Sequence, residues 1–317
     1  MAALNLQNFQ AAPSETTSSS ASALLKNLID YAGLFPPASL DMASSVANYD
    51  LYLRSKWNWI VGRFIVPVAR LNEFQIALDH LPARTENEIS APWRLSVLPG
   101  SDLNSDVTRI LAFNSQSKKD RAKREAIVES IEIKISNCEE IDALSKIVPP
   151  DLEAYFEIAP DDDACFAAIA ANGRRAKIRT GGETADKFPT AFNVVKFIRQ
   201  CATARIAFKA TAGLHHPVRS VHNFTYQSQS ASGVMHGFIN LFLTAAFVKQ
   251  GMDTELAAEL LEERSWDAFQ FESDVVRWRG HRLTRNEIAE TRSDFATSFG
   301  SCSFMEPIDD LLSLHIV

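Results

Sequence analysis

The sequence predicts an α/β fold, a single (βα)8 TIM barrel, on three observations. Eight short apolar or alternating runs recur along the 317 residues, separated mostly by helical patterns, which is the arrangement of a parallel sheet. Eight parallel strands close such a barrel, and about 250 residues suffice for it. Two of the runs, Ala176-Lys177-Ile178-Arg179-Thr180-Gly181-Gly182 and Phe208-Lys209-Ala210-Thr211-Ala212-Gly213, carry a lysine in mid-strand and end in glycine. Their lysines lie 32 residues apart, the length of one strand–helix–strand unit.

The elements follow in order. A short apolar run over 30–35 is stopped by Pro36-Pro37, and an amphipathic helix follows over 41–54. The second strand spans 59–66, rich in β-branched and aromatic residues, with a helix over 71–81. The third, 93–98, ends at Pro99-Gly100, and the fourth, 130–135, alternates strictly. The fifth covers 153–159 before a helix over 162–171, and the two lysine strands then bracket a helix over 191–202. After the seventh strand a long polar loop runs over 214–232, followed by a buried helix within 234–248. That apolar stretch is too short to span a bilayer and is interrupted by His236 and Asn240. A hairpin inserted over 268–283 precedes the eighth strand, 295–304, and a short terminal helix.

Bulk properties narrow the function classes. The 46% apolar content suits a chain with a large core, and the net charge of −7 argues against nucleic acid and anionic membrane as partners. The basic run 118–124 reads as a solvated face. Cys138, Cys165, Cys201 and Cys302 are scattered without a Cys-x-x-Cys spacing, the pattern of reduced thiols rather than of a disulfide framework or zinc site. Residues 1–22 hold no lysine or arginine, so neither a secretory signal nor a transit peptide is expected. They read as a disordered tail, 23–317 as the barrel, and the location as cytoplasmic. A homo-oligomer is compatible with the sequence.

Alternation assigns the interior. In a barrel one face of each strand packs on helices and the other points inward. The isoleucines of Ile131-Glu132-Ile133-Lys134-Ile135 meet the helices, which sends Glu132 and Lys134 inside. The same logic turns in Arg63, Tyr155, Glu157, Lys177, Arg179, Lys209 and Thr211. Neither sign of charge can be buried alone, so a mixed cluster is expected. Two facing lysines would depress each other's pKa, and a lysine so depressed is a nucleophile. Gly181, Gly182, Gly213, Gly300 and Ser301 follow strand ends, where backbone N–H groups can cradle an anion, and Arg63 or Arg179 could hold a carboxylate. His215 and His216 are adjacent and point to opposite sides, which favours proton donation or anion contact over a shared metal. Asp30, Tyr31 and the Phe35-Pro36-Pro37 turn lie where they could rim the site, and Cys302 reads as buried filler.

Five segments resemble the class I, Schiff-base aldolases, nearest to the deoxyribose-phosphate aldolase group. Lys177-Ile178-Arg179-Thr180-Gly181 is similar to that family's Lys-x-Ser-Thr-Gly strand, and Lys209-Ala210-Thr211-Ala212-Gly213 to its Lys-Ala-Ser-Gly-Gly. Ser130-Ile131-Glu132-Ile133-Lys134-Ile135-Ser136-Asn137 resembles its Glu-Ile-Asp-Met-Val-Ile-Asn segment, Glu157 its strand glutamate, and Phe299-Gly300-Ser301-Cys302-Ser303 its closing Gly-x-Ser-Ser. The likeness runs in order over 130–304. Arg179 stands where the family has serine, Ala212 where it has glycine, and Glu132 is longer than its aspartate. The resemblance implies a metal- and cofactor-independent lyase acting on a small carbonyl substrate that carries a phosphate or a carboxylate. It implies a catalytic set of Lys177, Lys209, Glu132 and Glu157, with either lysine open as imine former. Two other readings stay open: an isomerase or hydrolase holding an anionic substrate with Arg and Lys, and a non-catalytic metabolite-binding barrel.

Overall fold

The computed structural model describes residues 19–82, 92–117, 124–160 and 162–317. Eight parallel strands form a closed barrel flanked by helices, as the alternating pattern predicts. Helix α1 (Ser19–Leu25) leads into β1 (Ile29–Tyr31), α2 (Met42–Arg54), β2 (Val61–Pro67) and α3 (Leu71–Asp79). Then come β3 (Trp93–Leu98), α4 (Leu103–Ser117), β4 (Ala126–Lys134), α5 (Glu140–Ile147), β5 (Glu153–Glu157) and α6 (Asp163–Ala171). Strand β6 (Arg175–Arg179), α7 (Ala191–Ala204) and β7 (Phe208–Thr211) follow, then a hairpin of β8 (Ser220–Asn223) and β9 (Ser232–Met235). The chain continues through α8 (Phe238–Lys249), α9 (Thr254–Glu262), a three-stranded antiparallel sheet of β10 (Phe269–Phe271), β11 (Val275–Trp278) and β12 (His281–Thr284), α10 (Arg285–Asp294), β13 (Ala296–Ser301) and α11 (Met305–Ser313). The barrel order is β1-β13-β7-β6-β5-β4-β3-β2.

The outward faces make the hydrophobic shell. Ile131, Ile133, Phe156, Ile178, Phe208 and Ala210 are buried against the helices, so the alternating strands sit in their expected orientation. Helix α8 is apolar all round because it is covered all round: all of it from Phe238 to Val248 is buried, with Phe238 and Phe242 on Phe299 of β13. The Asn240 amide is satisfied inside, accepting from Arg219 N–H and donating to Leu260 and Glu263 carbonyls.

Several boundaries differ from the sequence expectation. Strand β1 is only three residues long, because a turn closed by Phe35 N–H on the Ala32 carbonyl takes the chain away ahead of the two prolines. Strand β4 begins at Ala126, four residues earlier than expected, and β13 ends at Ser301. The loop over 214–232 is not structureless, since β8 within it pairs with β9, and the inserted hairpin is a three-stranded sheet. The expected tail over 1–22 meets α1 at Ser19, where Ser20 and Ala21 are buried. Its earlier residues, like 118–123 of the basic run, lie outside the described residues.

The all-thiol reading of the cysteines is overturned: Cys138 and Cys165 form a disulfide, while Cys201 and Cys302 are free and buried. Cys138 follows β4 and Cys165 lies in the first turn of α6, after β5. Those strands pair side by side, with Lys134 opposite Glu157, so barrel register brings together two cysteines 27 residues apart in sequence. Among the described residues no helix is long and apolar enough to cross a membrane.

Candidate active site

The parallel strands send all their C-terminal ends to one mouth of the barrel, where a cavity of about 760 Å³ opens. Its floor is polar because the inward side chains of β4, β5 and β6 are charged: Glu132, Glu157 and Lys177 line it, with Arg179 and Lys134 at the rim. The Phe35-Pro36-Pro37 turn, Gly213, Gly300 and Cys302 form the opposite walls. This polar filling departs from the Val, Ile and Leu layers of an ordinary barrel core.

A continuous ion-pair chain runs beneath the cavity. Lys177 Nζ lies 2.9 Å from Glu132 Oε2 and 2.9 Å from Glu157 Oε2. Lys209 Nζ donates to Glu132 Oε1 and Asp30 Oδ2, each at 2.6 Å. Glu132 therefore separates the two ammonium groups, which their directly paired positions on β6 and β7 would otherwise leave facing. Ser96 Oγ donates to Glu132 Oε1 at 2.7 Å, and Ser298 Oγ and Arg63 N–H donate to Asp30. At the mouth Arg179 Nε donates to Glu157 Oε1 at 3.1 Å.

The electrostatics follow from that pairing. Burial pushes the Glu132 carboxyl up, but Lys177 and Lys209 outweigh it and hold the group far below the ordinary carboxylate range. Glu157 is lowered in the same way, with burial opposed by Lys177 and then Arg179. Burial would strip the Lys209 proton, yet Asp30 and Glu132 override it and raise the pKa above that of a free lysine. The expected mutual depression of two lysines is thus absent at Lys209, because three carboxylates stand around the pair.

The two lysines differ in access. Lys177 lines the cavity, whereas Lys209 is fully buried behind Glu132 and lines neither mouth. Geometry thus separates two positions that are equivalent in the sequence.

The remaining expected site residues divide. Gly182, Gly213, Gly300 and His215 line the cavity with Arg179. Gly213 has a φ of +73° and follows Ala212 at +64°, so the chain leaves β7 through two left-handed residues. Gly181 does not line the cavity; a Cβ there would lie 2.6 Å from Gly213 Cα, so its role is close packing. Ser301 also faces away, its hydroxyl donating to the Ser303 carbonyl. His215 Nδ1 lies 2.9 Å from Glu306 of α11, which burial pushes up and His215 pulls below its ordinary value. His216 pairs with Asp310 of the same helix at 2.7 Å, comes within 3.9 Å of Glu306 and stacks on His222, so the two imidazoles meet one helix instead of pointing to opposite sides as the sequence suggests. Arg63 is inward but at the opposite end of the barrel, bonded to Glu129 and Glu153, so it is no substrate ligand in this cavity.

Asp30 and Ser96, buried members of the ion-pair chain, escaped the sequence reading as interior groups. The signal for Asp30 was an acid between Ile29 and Tyr31 in an apolar run. Cys302 lines the cavity with its thiol pushed up to about 11 by burial, which keeps it protonated at neutral pH. For metals, the one grouping of donors among the described residues is Cys138, Asp162 and Cys165, and the disulfide occupies both sulfurs.

His236, just after β9, ties that segment to Pro189 ahead of α7 and to Arg219 ahead of β8. Its Nε2 bonds the Pro189 carbonyl at 2.8 Å, and Arg219, which can only donate, bonds its Nδ1 at 2.9 Å. The ring is therefore neutral with the proton on Nε2. Burial, helped by Arg219 and opposed by the Pro189 bond, lowers its pKa to about 4. Below pH 6.5 the unfolded chain takes a proton that the folded chain refuses. Stability then falls by about 3 kcal/mol as pH drops from 6.5 to about 4. Urea titrations across that range check this, and the decline is shallower in His236→Gln, which can still donate to Pro189.

No family model, curated protein or solved structure matches the chain.

Proposed function

We propose that the protein is a Schiff-base lyase in which Lys177 forms an imine with a small carbonyl compound. The observation that carries this is one amine, Lys177 Nζ, at the floor of an open cavity between two carboxylates that can accept and return its proton. Lys177 passes a proton to Glu157, and its lone pair attacks the carbonyl carbon to give a carbinolamine. Glu157 then protonates the departing hydroxyl, water leaves, and a protonated imine remains. The iminium draws the electron pair of the adjacent C–C bond while a carboxylate removes the β-hydroxyl proton. The bond breaks, an aldehyde departs, and an enamine stays on Lys177. Protonation of the enamine and hydrolysis of the imine release the second product.

Lys209 and Glu132 act one layer below. Lys209 stays charged and holds Glu132 ionised, which fixes the position of Lys177. Arg179, Lys134 and Lys187 give the mouth a cationic rim suited to a phosphate or carboxylate on the substrate. The direct test is aldehyde release from a panel of β-hydroxy ketones, aldehydes and 2-oxo acids with and without such a group. Turnover of an anionic member supports the reading; a folded protein inert across the panel overturns it.

A further inference from the structure

The opposite mouth of the barrel holds a second cavity of about 730 Å³, formed at the N-terminal ends of the strands and bounded by α1 and α10. Six cationic side chains line it, Lys26, Arg63, Arg94, Arg175, Arg285 and Arg292, against the carboxylates of Asp30 and Glu153. Those carboxylates are already engaged: Asp30 with Lys209 and Ser298, Glu153 with Arg63 and Arg175. Glu129, beside them, is shared between Arg63 and Arg94.

The positive charge left over is specific. Arg94 uses only its Nε on Glu129, leaving both terminal nitrogens for another acceptor. Lys26 and Arg285 have no carboxylate within ion-pair distance among the described residues. Arg292 is 8% exposed and gives its donors to the Leu24, Lys26, Ala296 and Thr297 carbonyls, with no carboxylate in contact. A buried guanidinium bonded to carbonyls alone has no direct ion-pair partner, and burial, only partly opposed by nearby Asp30, pulls its pKa down to about 9. No reaction step at the other mouth uses this excess.

We propose that the N-terminal cavity is a binding site for a small polyanion bearing at least two negative charges on phosphate or carboxylate groups. Arg94, Arg175 and Arg285 present donors from different walls, and guanidinium forks match the paired oxygens of both groups. The site is distinct from the lysine cavity and does not depend on imine chemistry.

Isothermal titration calorimetry of the full chain with inorganic pyrophosphate and with citrate tests this. One saturable site per chain is expected, weakening as ionic strength rises. Pyrophosphate binding alone identifies the phosphate class and citrate binding alone the carboxylate class. Arg94 and Arg285 are partly or fully exposed, so Arg94→Gln/Arg285→Gln folds. It raises the Kd by at least about tenfold, the loss expected for a charge-assisted contact. Arg179→Gln, at the other mouth, leaves the Kd unchanged. No saturable binding of either anion overturns the proposal, as does binding that survives Arg94→Gln/Arg285→Gln and is lost in Arg179→Gln.

Discussion

Glu132→Ala lowers the unfolding free energy by about 3–5 kcal/mol, the cost of leaving a buried charge without its partner. The carboxylate touches Lys177 at 2.9 Å, Lys209 at 2.6 Å and Ser96 at 2.7 Å, all within the barrel interior. Removing it exposes two ammonium groups on paired strand positions to one another and opens space beside them. Glu132→Gln keeps the volume and loses the charge, so it is destabilised too. Lys209 keeps Asp30 and Lys177 keeps Glu157 in that variant, so its loss is smaller than that of Glu132→Ala, and a double-mutant cycle of Glu132→Gln with Lys209→Met reads the Glu132–Lys209 coupling directly. A loss below about 1 kcal/mol for Glu132→Ala, the range of an exposed pair, contradicts the buried-network account.

The same network sets the pH range of stability. Glu132 and Glu157 have lowered folded pKa values, so their contribution is complete above the unfolded carboxylate value of about 4.3 and is lost as pH falls below it. Lys209 has a raised folded value, so its contribution is complete below about 10.4 and is lost only as pH rises beyond that. The network term is therefore flat through neutrality, and the acid limb belongs to the carboxylates with His236.

Lys177→Arg abolishes turnover while leaving the fold intact. Arginine keeps the positive charge between Glu132 and Glu157 but cannot shed a proton to become a nucleophile. Glu157→Gln, which keeps the shape of the proton carrier and removes its basicity, slows turnover by about 10²–10⁴-fold. Steady-state rates on the substrate that the aldehyde-release panel identifies measure both. A merely charged binding pocket tolerates Lys177→Arg, so retained activity in that variant rejects the nucleophile role.

Much of the barrel was legible because period-two alternation is a local property. Ile131, Ile133 and Ile178 could only face the helices, so Glu132 and Lys177 had to face inward, and they do. What alternation cannot give is depth along the barrel axis. Arg63 and Lys177 share an inward face, yet register sets one near Glu153 at the N-terminal mouth and the other beside Glu157 at the C-terminal mouth. Lys134, also inward by alternation, ends β4 and reaches the open rim, where it is exposed. The pKa expectation failed for a related reason. The expectation weighs the two lysines against each other although it puts Glu132 in the same cluster, whereas the third dimension sets Glu132 between them and brings Asp30 from a strand almost 150 residues before the first lysine. The disulfide was hidden in the same way, since the pairing of β4 with β5, not any spacing motif, sets Cys138 beside Cys165.

The central claim is tested most directly by borohydride reduction of the protein in the presence of small aldehydes, ketones and 2-oxo acids, read by intact-protein and peptide mass spectrometry. Reduction converts an imine to a stable secondary amine, so the carbonyl partner is weighed and its lysine located. The account predicts one adduct, on Lys177, absent in Lys177→Met and absent from Lys209 in the wild-type chain because Glu132 and the barrel floor close that amine off. An adduct on Lys209, or none on a folded protein across the panel, contradicts it.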